Sequence, residues 1–293
     1  MELESPFLNE SPRFQHFLVT RFNVGLYPKQ MEQAYSDKQG RVPAKDPDRW
    51  MEKRFELFER FCVPSVLNQS VKDFAWLVVF DAETPQPYLD RAERVGQDCH
   101  LVPLRAERGH RRTLRLFAAQ SLRPDTEYLI TSRIDNDDAI HRDFVATVQG
   151  HLRQEAPMRR GSLARAMHKW VPDGTRMGES RFKQVLRRLV PNQGRIAINF
   201  TLGFSYDGKR LALFSNERNS FISLLERTDL VGGILTAWAT EHKRIRQIAT
   251  VREIATEPLW VRVIHDENLR NEFEGEEVPI DRLTAADFGL WPF

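Results

Sequence analysis

Two carboxylates one residue apart, Asp135 and Asp137, follow on a strand-like run at residues 128–134. Along an extended backbone, side chains two positions apart point to the same side, so this spacing presents two oxygen ligands together. Such a pair suits a hard divalent cation, Mn²⁺ or Mg²⁺, which keeps several waters and takes its other ligands from phosphate groups. The spacing alone carries little weight, because roughly one such match is expected by chance in a chain of this length. Asp46-Pro47-Asp48 is a second match, in a loop-like stretch. Only Asp135 and Asp137 follow a strand-like run and precede a helical one. Asp138 reads either as a further acidic ligand or as the N-cap of that helix.

A pair so placed needs a strand that ends beneath it. Residues 74–80 are short and continuously apolar, which predicts a strand buried on both faces of a parallel sheet, and residues 128–134 predict a further central strand. Residues 14–24 contain the β-rich run from His16 to Asn23 and predict the first strand. Asp81 stands at the end of the second run. Trp50 opens an amphipathic helix in which Phe55, Phe58, Phe61 and Cys62 repeat at three- and four-residue spacing, and Pro64 is expected to kink or end it. A helix is predicted over 113–122, and another after the acidic cluster carrying Ile140, Phe144, Val145, Val148 and Leu152. This alternation predicts an α/β fold with a mostly parallel central sheet and helices on both faces, whose ligands bind outside the carboxyl ends of the strands.

The remaining segments are less regular. Residues 26–49 read as an exposed loop, and 156–194 as a basic, irregular stretch apart from a short helix around 182–189. Asp207-Gly208 between 196–206 and 211–214 is a hairpin signal. Helices are expected around 221–227 and 233–248, and a last strand over 259–264 that ends at His265. No repeat is apparent, so the second half reads as an elaboration of one domain spanning 1–293.

The chain has 293 residues, 41% hydrophobic and 29% charged, with 43 basic side chains against 41 acidic ones for a net charge of +2. This composition excludes collagen-like, disordered and small disulfide-stapled classes. Cys62 and Cys99 are too few for a disulfide framework and lack Cys-x-x-Cys spacing, and Cys62, between Phe61 and Val63, reads as a core thiol. No apolar run approaches the roughly 20 residues of a membrane span, and the polar start lacks a signal-peptide core, so a cytoplasmic location is expected. Near-neutral charge and the lack of a recognition motif argue against nucleic acid. Arg105, Arg108, Arg111, Arg112 and Arg115 form one basic stretch, and residues 158–195 a second, with apolar Met158, Leu163, Met167 and Trp170 among its arginines and lysines. Either could hold an anionic ligand, and the second is a candidate for an acidic acceptor or for peripheral contact with the inner membrane face.

The pieces Phe17 to Asn23, the helix with Arg54, Phe55, Phe58, Phe61, Cys62, Pro64 and Ser65, then Phe74, Trp76, Leu77, Phe80 and Asp81, then Arg133 to Asp138, resemble in this order the bacterial rhamnosyltransferase family. More broadly they are similar to nucleotide-sugar glycosyltransferases of GT-A fold. The resemblance is densest over 14–150, returns at 260–268 and is thin over 155–255. It implies a nucleotide-binding half at about 14–150 and an acceptor-binding half at about 151–293, with a dTDP-, UDP- or GDP-linked sugar as donor and a saccharide or glycolipid as acceptor in cell-surface polysaccharide synthesis. It further implies that Thr20, Arg21 and Asp81 cradle the nucleotide, that Arg111, Arg112 and Asn136 face the donor, and that Asp135 and Asp137 bind metal and donor. His265 would complete the metal shell.

Transfer from such a donor leaves negative charge on the departing diphosphate, which a cation at Asp135 and Asp137 and nearby arginines would stabilise. An inverting reaction also needs a carboxylate base. Glu241 is the first candidate, followed by Glu217 and Asp266. A nucleotidyltransferase would need a Gly-rich loop where the chain has Arg21-Phe22-Asn23-Val24-Gly25, and the P-loop signature is absent. A non-catalytic nucleotide- or sugar-binding module remains the alternative, since fold does not fix function.

Overall fold

The computed structural model describes residues 12–26, 46–106, 109–159, 194–230, 233–265 and 272–290. Its first half is built from β1 (Phe14–Arg21), β2 (Ala75–Phe80), β3 (Leu101–Arg105) and β4 (Tyr128–Asp135), paired in parallel in the order β3-β2-β1-β4. Parallel neighbours need crossover connections, and these are supplied by α1 (Pro47–Leu57), α2 (Val63–Leu67), α3 (Gln86–Val95) and α4 (His110–Gln120). Strands β1, β2 and β4 carry apolar residues on both sides because both faces of the sheet are covered. Leu18, Trp76, Val78, Phe80 and Ile130 pack with Met51, Phe55 and Phe58 on one face, while Phe17, Val19, Leu77, Val79 and Leu129 pack with Leu114 and Ala118 on the other. Helix α3 and strand β3 add a crossover that the sequence reading did not contain.

Helix α1 begins before Trp50, capped by the Asp46 carboxylate, which accepts the Arg49 N–H at 3.0 Å. The second Asp-x-Asp match is thus a helix start. Pro64 does not end the helix: lacking an N–H, it cannot make the regular bond four residues back, and the chain widens into a π turn at Phe58–Cys62 before resuming as α2.

The second half departs further from expectation. After β5 (Ala139–Ile140) and α5 (Phe144–Arg159) come β6 (Ile196–Phe200), β7 (Leu202–Tyr206), β8 (Leu211–Ser215), β9 (Ile222–Arg227), β10 (Thr250–Ile254), β11 (Trp260–Val263), β12 (Glu276–Val278) and α6 (Arg282–Asp287). The expected helix at 221–227 is the strand β9, inserted antiparallel between β4 and β6 to give a seven-stranded sheet ordered β10-β6-β9-β4-β1-β2-β3. A short run buried all round has no period to separate strand from helix. The expected helix at 233–248 is irregular and ends in a 3₁₀ helix at His242–Gln247, because Gly233 and Thr236 take positive φ, 73° and 74°. The expected strand at 196–206 breaks at Thr201, where the chain passes into a second sheet ordered β12-β8-β7-β11-β5. The hairpin at Asp207-Gly208 joins β7 to β8 as expected. Gly203 in β7 lies against Trp260, whose ring would be 2.2 Å from any Cβ there.

The chain leaves the first sheet at Asp135 and enters the second at Ala139, so the acidic cluster bridges the two. Ile140 sits in β5, not in the following helix, and pairs with Trp260 of β11. Residues 27–45 of the loop expected at 26–49, the expected helix at 182–189 and most of the basic stretch at 158–195 lie outside the described residues, and 47–49 belong to α1 instead of the loop.

His16 in β1 is buried, its Nε2 2.8 Å from Ser132 Oγ, and burial lowers its pKa from 6.5 to about 3. A histidine kept neutral in the fold but protonated when unfolded contributes stability above its unfolded pKa and loses it as pH falls toward the folded value. Chemical denaturation between pH 6.5 and pH 4 should therefore show stability falling with acid, and His16→Gln should flatten that slope by up to about 1.4 kcal/mol per pH unit. An unchanged slope would contradict the assignment.

Candidate functional site

Asp137 lies in the turn between the two sheets, and two basic side chains converge on its Oδ2. Arg54 Nη1 is 2.5 Å away and His265 Nε2 is 2.9 Å away. Arg54 comes from the last turn of α1 and is 8% exposed, and His265 follows the end of β11. Burial alone would raise the Asp137 pKa, but the His265 hydrogen bond and the Arg54 charge outweigh it and hold the carboxyl below its ordinary value. Arg54 Nη1 also donates to Asn136 Oδ1 at 3.3 Å, and its guanidinium lies 5.0 Å from the centre of the Trp50 ring. The site thus joins a helix of the first layer, the end of the central strand and the second sheet.

Of the expected ligands Asp135, Asp137 and His265, the structure brings the last two together. Asp137 and His265 touch, while among the described residues no three His, Cys, Asp or Glu side chains gather closely enough to hold a metal ion. A carboxylate and an imidazole are still a suitable protein contribution for Mn²⁺ or Mg²⁺, which fill their shells from water and phosphate. Asp135 is half-exposed at the end of β4. Asp138 caps no helix: it is buried, accepts the Val263 N–H at 3.0 Å and so fastens the cluster to β11. Burial, then the Asp137 and Asp135 charges, push its pKa well up.

Several residues expected to meet a nucleotide are internal. Thr20 is fully buried, its hydroxyl accepting Trp76 Nε1–H at 2.9 Å, because it falls on the core-facing side of β1. Asn136 is a brace, donating to the Phe22 carbonyl at 3.0 Å. Asp81 is 1% exposed, and its carboxylate accepts the N–H of Gly25 at 2.8 Å and of Glu83 at 3.0 Å. It ties together the loops that follow β1 and β2, with Asn23 Oδ1 accepting the Asp81 N–H. Arg105 serves the same loop by donating to the Ala82 and Thr84 carbonyls.

Arg21 is exposed at the end of β1, and Arg111 and Arg112 are exposed in the first turn of α4. Glu241 is exposed at the cap of the 3₁₀ helix, 3.8 Å from Arg244. Its neighbour His242 is held down to about pKa 4 by burial and then by Arg133, with Asp135 opposing, so this segment lies near the acidic edge. Glu217 is exposed, and Asp266, Arg187 and Arg188 lie outside the described residues. Arg195 is no surface cation: it is buried with its Nε 3.0 Å from the fully buried Glu226 carboxylate. Arg54 carries the site, yet sequence reasoning gave it no role. Its signal was a charge inside the apolar stripe Met51, Phe55, Phe58.

The family model described as "Putative rhamnosyl transferase" matches residues 15–167. No curated protein matches the chain. Among solved structures, S. aureus TarS 1-349 in complex with UDP-GlcNAc is similar at 9% identity and a TM-score of 0.42, covering 87% of this chain and 60% of that one. The inositol-1-phosphate CTP transferase from T. maritima is similar at 10% identity and a TM-score of 0.34, covering 87% and 90%. The chain thus spans 60% of the TarS structure, and likenesses this distant assign no ligand or reaction.

Replacing Asp81 by alanine removes the acceptor of the buried Gly25 N–H and of the more exposed Glu83 N–H, and the buried one alone makes this a loss of about 1–3 kcal/mol. Asp81→Ala should lower the melting temperature and speed amide exchange at Gly25 and Glu83. Unchanged exchange at both would contradict the role given to this carboxylate.

Proposed function

The chain belongs to the rhamnosyl transferase family, and from that premise we propose that it transfers rhamnose from a nucleoside-diphosphate donor to a saccharide or glycolipid acceptor at the carboxyl edge of β1, β2 and β4. The observation that carries this reading is the convergence of Arg54 and His265 on Asp137 at that edge, where ligands of open α/β sheets bind. When bound, Mn²⁺ or Mg²⁺ supplies Lewis-acid charge for the departing diphosphate. Asp137 and His265 would hold it.

The chain's own groups divide the remaining work. Arg54 keeps Asp137 ionised and fixed in direction, and its positive charge adds to the field that favours diphosphate departure. To Asp135 we assign a hydrogen bond from a ribose or sugar hydroxyl of the donor, a role its half-exposed carboxylate supports. Arg21, Arg111 and Arg112 draw the anionic donor to the edge. Glu241 is our candidate for the base that takes the acceptor proton, supported by its exposure and by the nearness of its neighbour His242 to Asp135.

A thermal-shift panel of dTDP, UDP, GDP and CDP with Mn²⁺ or with EDTA tests this reading. At least one nucleotide should stabilise the protein chiefly with metal, by roughly 2.7 kcal/mol at 100 times its dissociation constant. Asp137→Asn should abolish that metal-linked shift. Asp46→Ala, which removes only a helix cap, should keep the shift while costing about 1 kcal/mol of stability. Shifts equal in EDTA and metal would remove the cation from the account, and no shift with any nucleotide would remove the donor site.

A further inference from the structure

The face of the central sheet opposite Arg54 carries a second group of basic side chains. Alternation along β4 puts Thr131, Arg133 and Asp135 on the side that faces α4. The segment after β9 is pinned onto this face from two strands. Thr131 Oγ1 accepts the Ala237 N–H at 2.7 Å, and the Glu226 carboxylate accepts the N–H of Leu235 at 3.0 Å and of Thr236 at 2.9 Å. These bonds hold Thr236 at φ 74°, a conformation that non-glycine residues rarely adopt. They also set Trp238 over Arg133, whose guanidinium carbon is 3.8 Å from the ring centre. Arg21 approaches the same ring at 5.2 Å, and His110 meets it edge-on at 5.8 Å.

Arg133 is 6% exposed, and its Nε and Nη1 are buried without a hydrogen-bond partner. Trp238 Nε1 beside it is likewise buried and unpartnered. Stacking on an aromatic ring offsets part of a guanidinium's lost hydration, but it satisfies none of its N–H groups. The cluster is also short of negative charge. Burial pulls the Arg133 pKa down to about 10, with Asp135 opposing and Arg21 and Arg111 adding to the fall. Burial and these same arginines hold His110 down to about 4, so it is neutral at pH 7. A buried, hydrogen-bond-starved arginine beside a second arginine, at the ligand-binding edge of the sheet, has the donor groups that an anion would satisfy.

We propose that Arg133, with Arg21 beside it on the Trp238 ring, forms an oxyanion subsite, separate from the Arg54–Asp137–His265 group, that takes a phosphate or carboxylate group of a substrate. The placing of that anion on a donor or an acceptor rests on the sugar-transfer reading; the subsite itself rests on the geometry above. Two sources share this chemistry: the diphosphate of the donor, and an acidic group on the acceptor.

Isothermal titration of the full chain with inorganic phosphate, diphosphate and glucuronate, with and without a saturating nucleoside diphosphate, tests the proposal. At least one of the three probes should bind, and Arg133→Met and Arg21→Met should each weaken it tenfold or more, while Arg115→Gln on the exposed side of α4 leaves it unchanged. Diphosphate displaced by the nucleotide identifies the donor as the source, and glucuronate bound beside the nucleotide identifies the acceptor. No binding by any probe, or binding untouched by both variants, would overturn the subsite. Should Arg133→Met fail to fold, the exposed Arg21→Met and the charge-retaining Arg133→Lys carry the comparison. Nucleotide affinity measured on the same wild-type protein keeps the two readings apart: anion binding without nucleotide binding would sink sugar transfer alone.

Discussion

The Arg54–Asp137 ion pair is the interaction on which the arrangement of this molecule turns. Both side chains are largely removed from water, at 10% and 14% exposure, so neither charge is tolerable without the other. The pair spans parts that the chain brings together late: Arg54 sits in a helix packed on one sheet, and Asp137 in the three-residue passage to the other. His265, arriving from β11, closes the same oxygen from the second sheet. A charge-bearing edge is thereby fixed by three elements far apart in sequence. Rigid support of this kind is what a site needs if its groups are to be oriented before a ligand arrives.

Around that pair, the polar residues at the carboxyl edge divide into two sets. Asp81, Asn23, Asn136, Thr20 and Asp138 spend their hydrogen-bonding capacity on backbone or on buried side chains, holding loops and strands in register. Asp135, Arg21 and Arg133 lie at the same edge without that internal satisfaction or with water-facing surface. The first set explains how loops with little apolar content keep their shape. The second is where binding free energy remains available, because groups already satisfied by the protein gain little from a ligand.

Much of the central sheet was legible in the sequence, since Ala75–Phe80 leaves an unbroken apolar trace and Phe14–Arg21 and Tyr128–Asp135 are short β-rich runs with apolar residues on both faces. The acidic pair was legible for a related reason: its context at a strand end distinguished it from the helix cap at Asp46. Strand β9 was not, because Phe221 to Glu226 is buried all round and a buried run has no period to read. The rule that ligands sit at strand ends located Thr20 and Asp81 correctly in the fold but could not reveal that their side chains face inward. Arg54 and Arg133 are the clearest case of a signal passed over. Each is a single cation at a position that its element buries, and such a residue is either paired at depth, as Arg54 is, or left wanting a partner, as Arg133 is.

The claim that one desolvated pair organises the edge is tested most directly by a double-mutant cycle on Arg54→Met and Asp137→Asn, read by chemical denaturation in the absence of nucleotide and metal. Removing either partner alone strands the other, whereas removing both does not, so the account predicts a coupling of about 2 kcal/mol or more. Single and double losses that add within about 0.5 kcal/mol would show that the two residues do not depend on each other, and the account would fail at its centre.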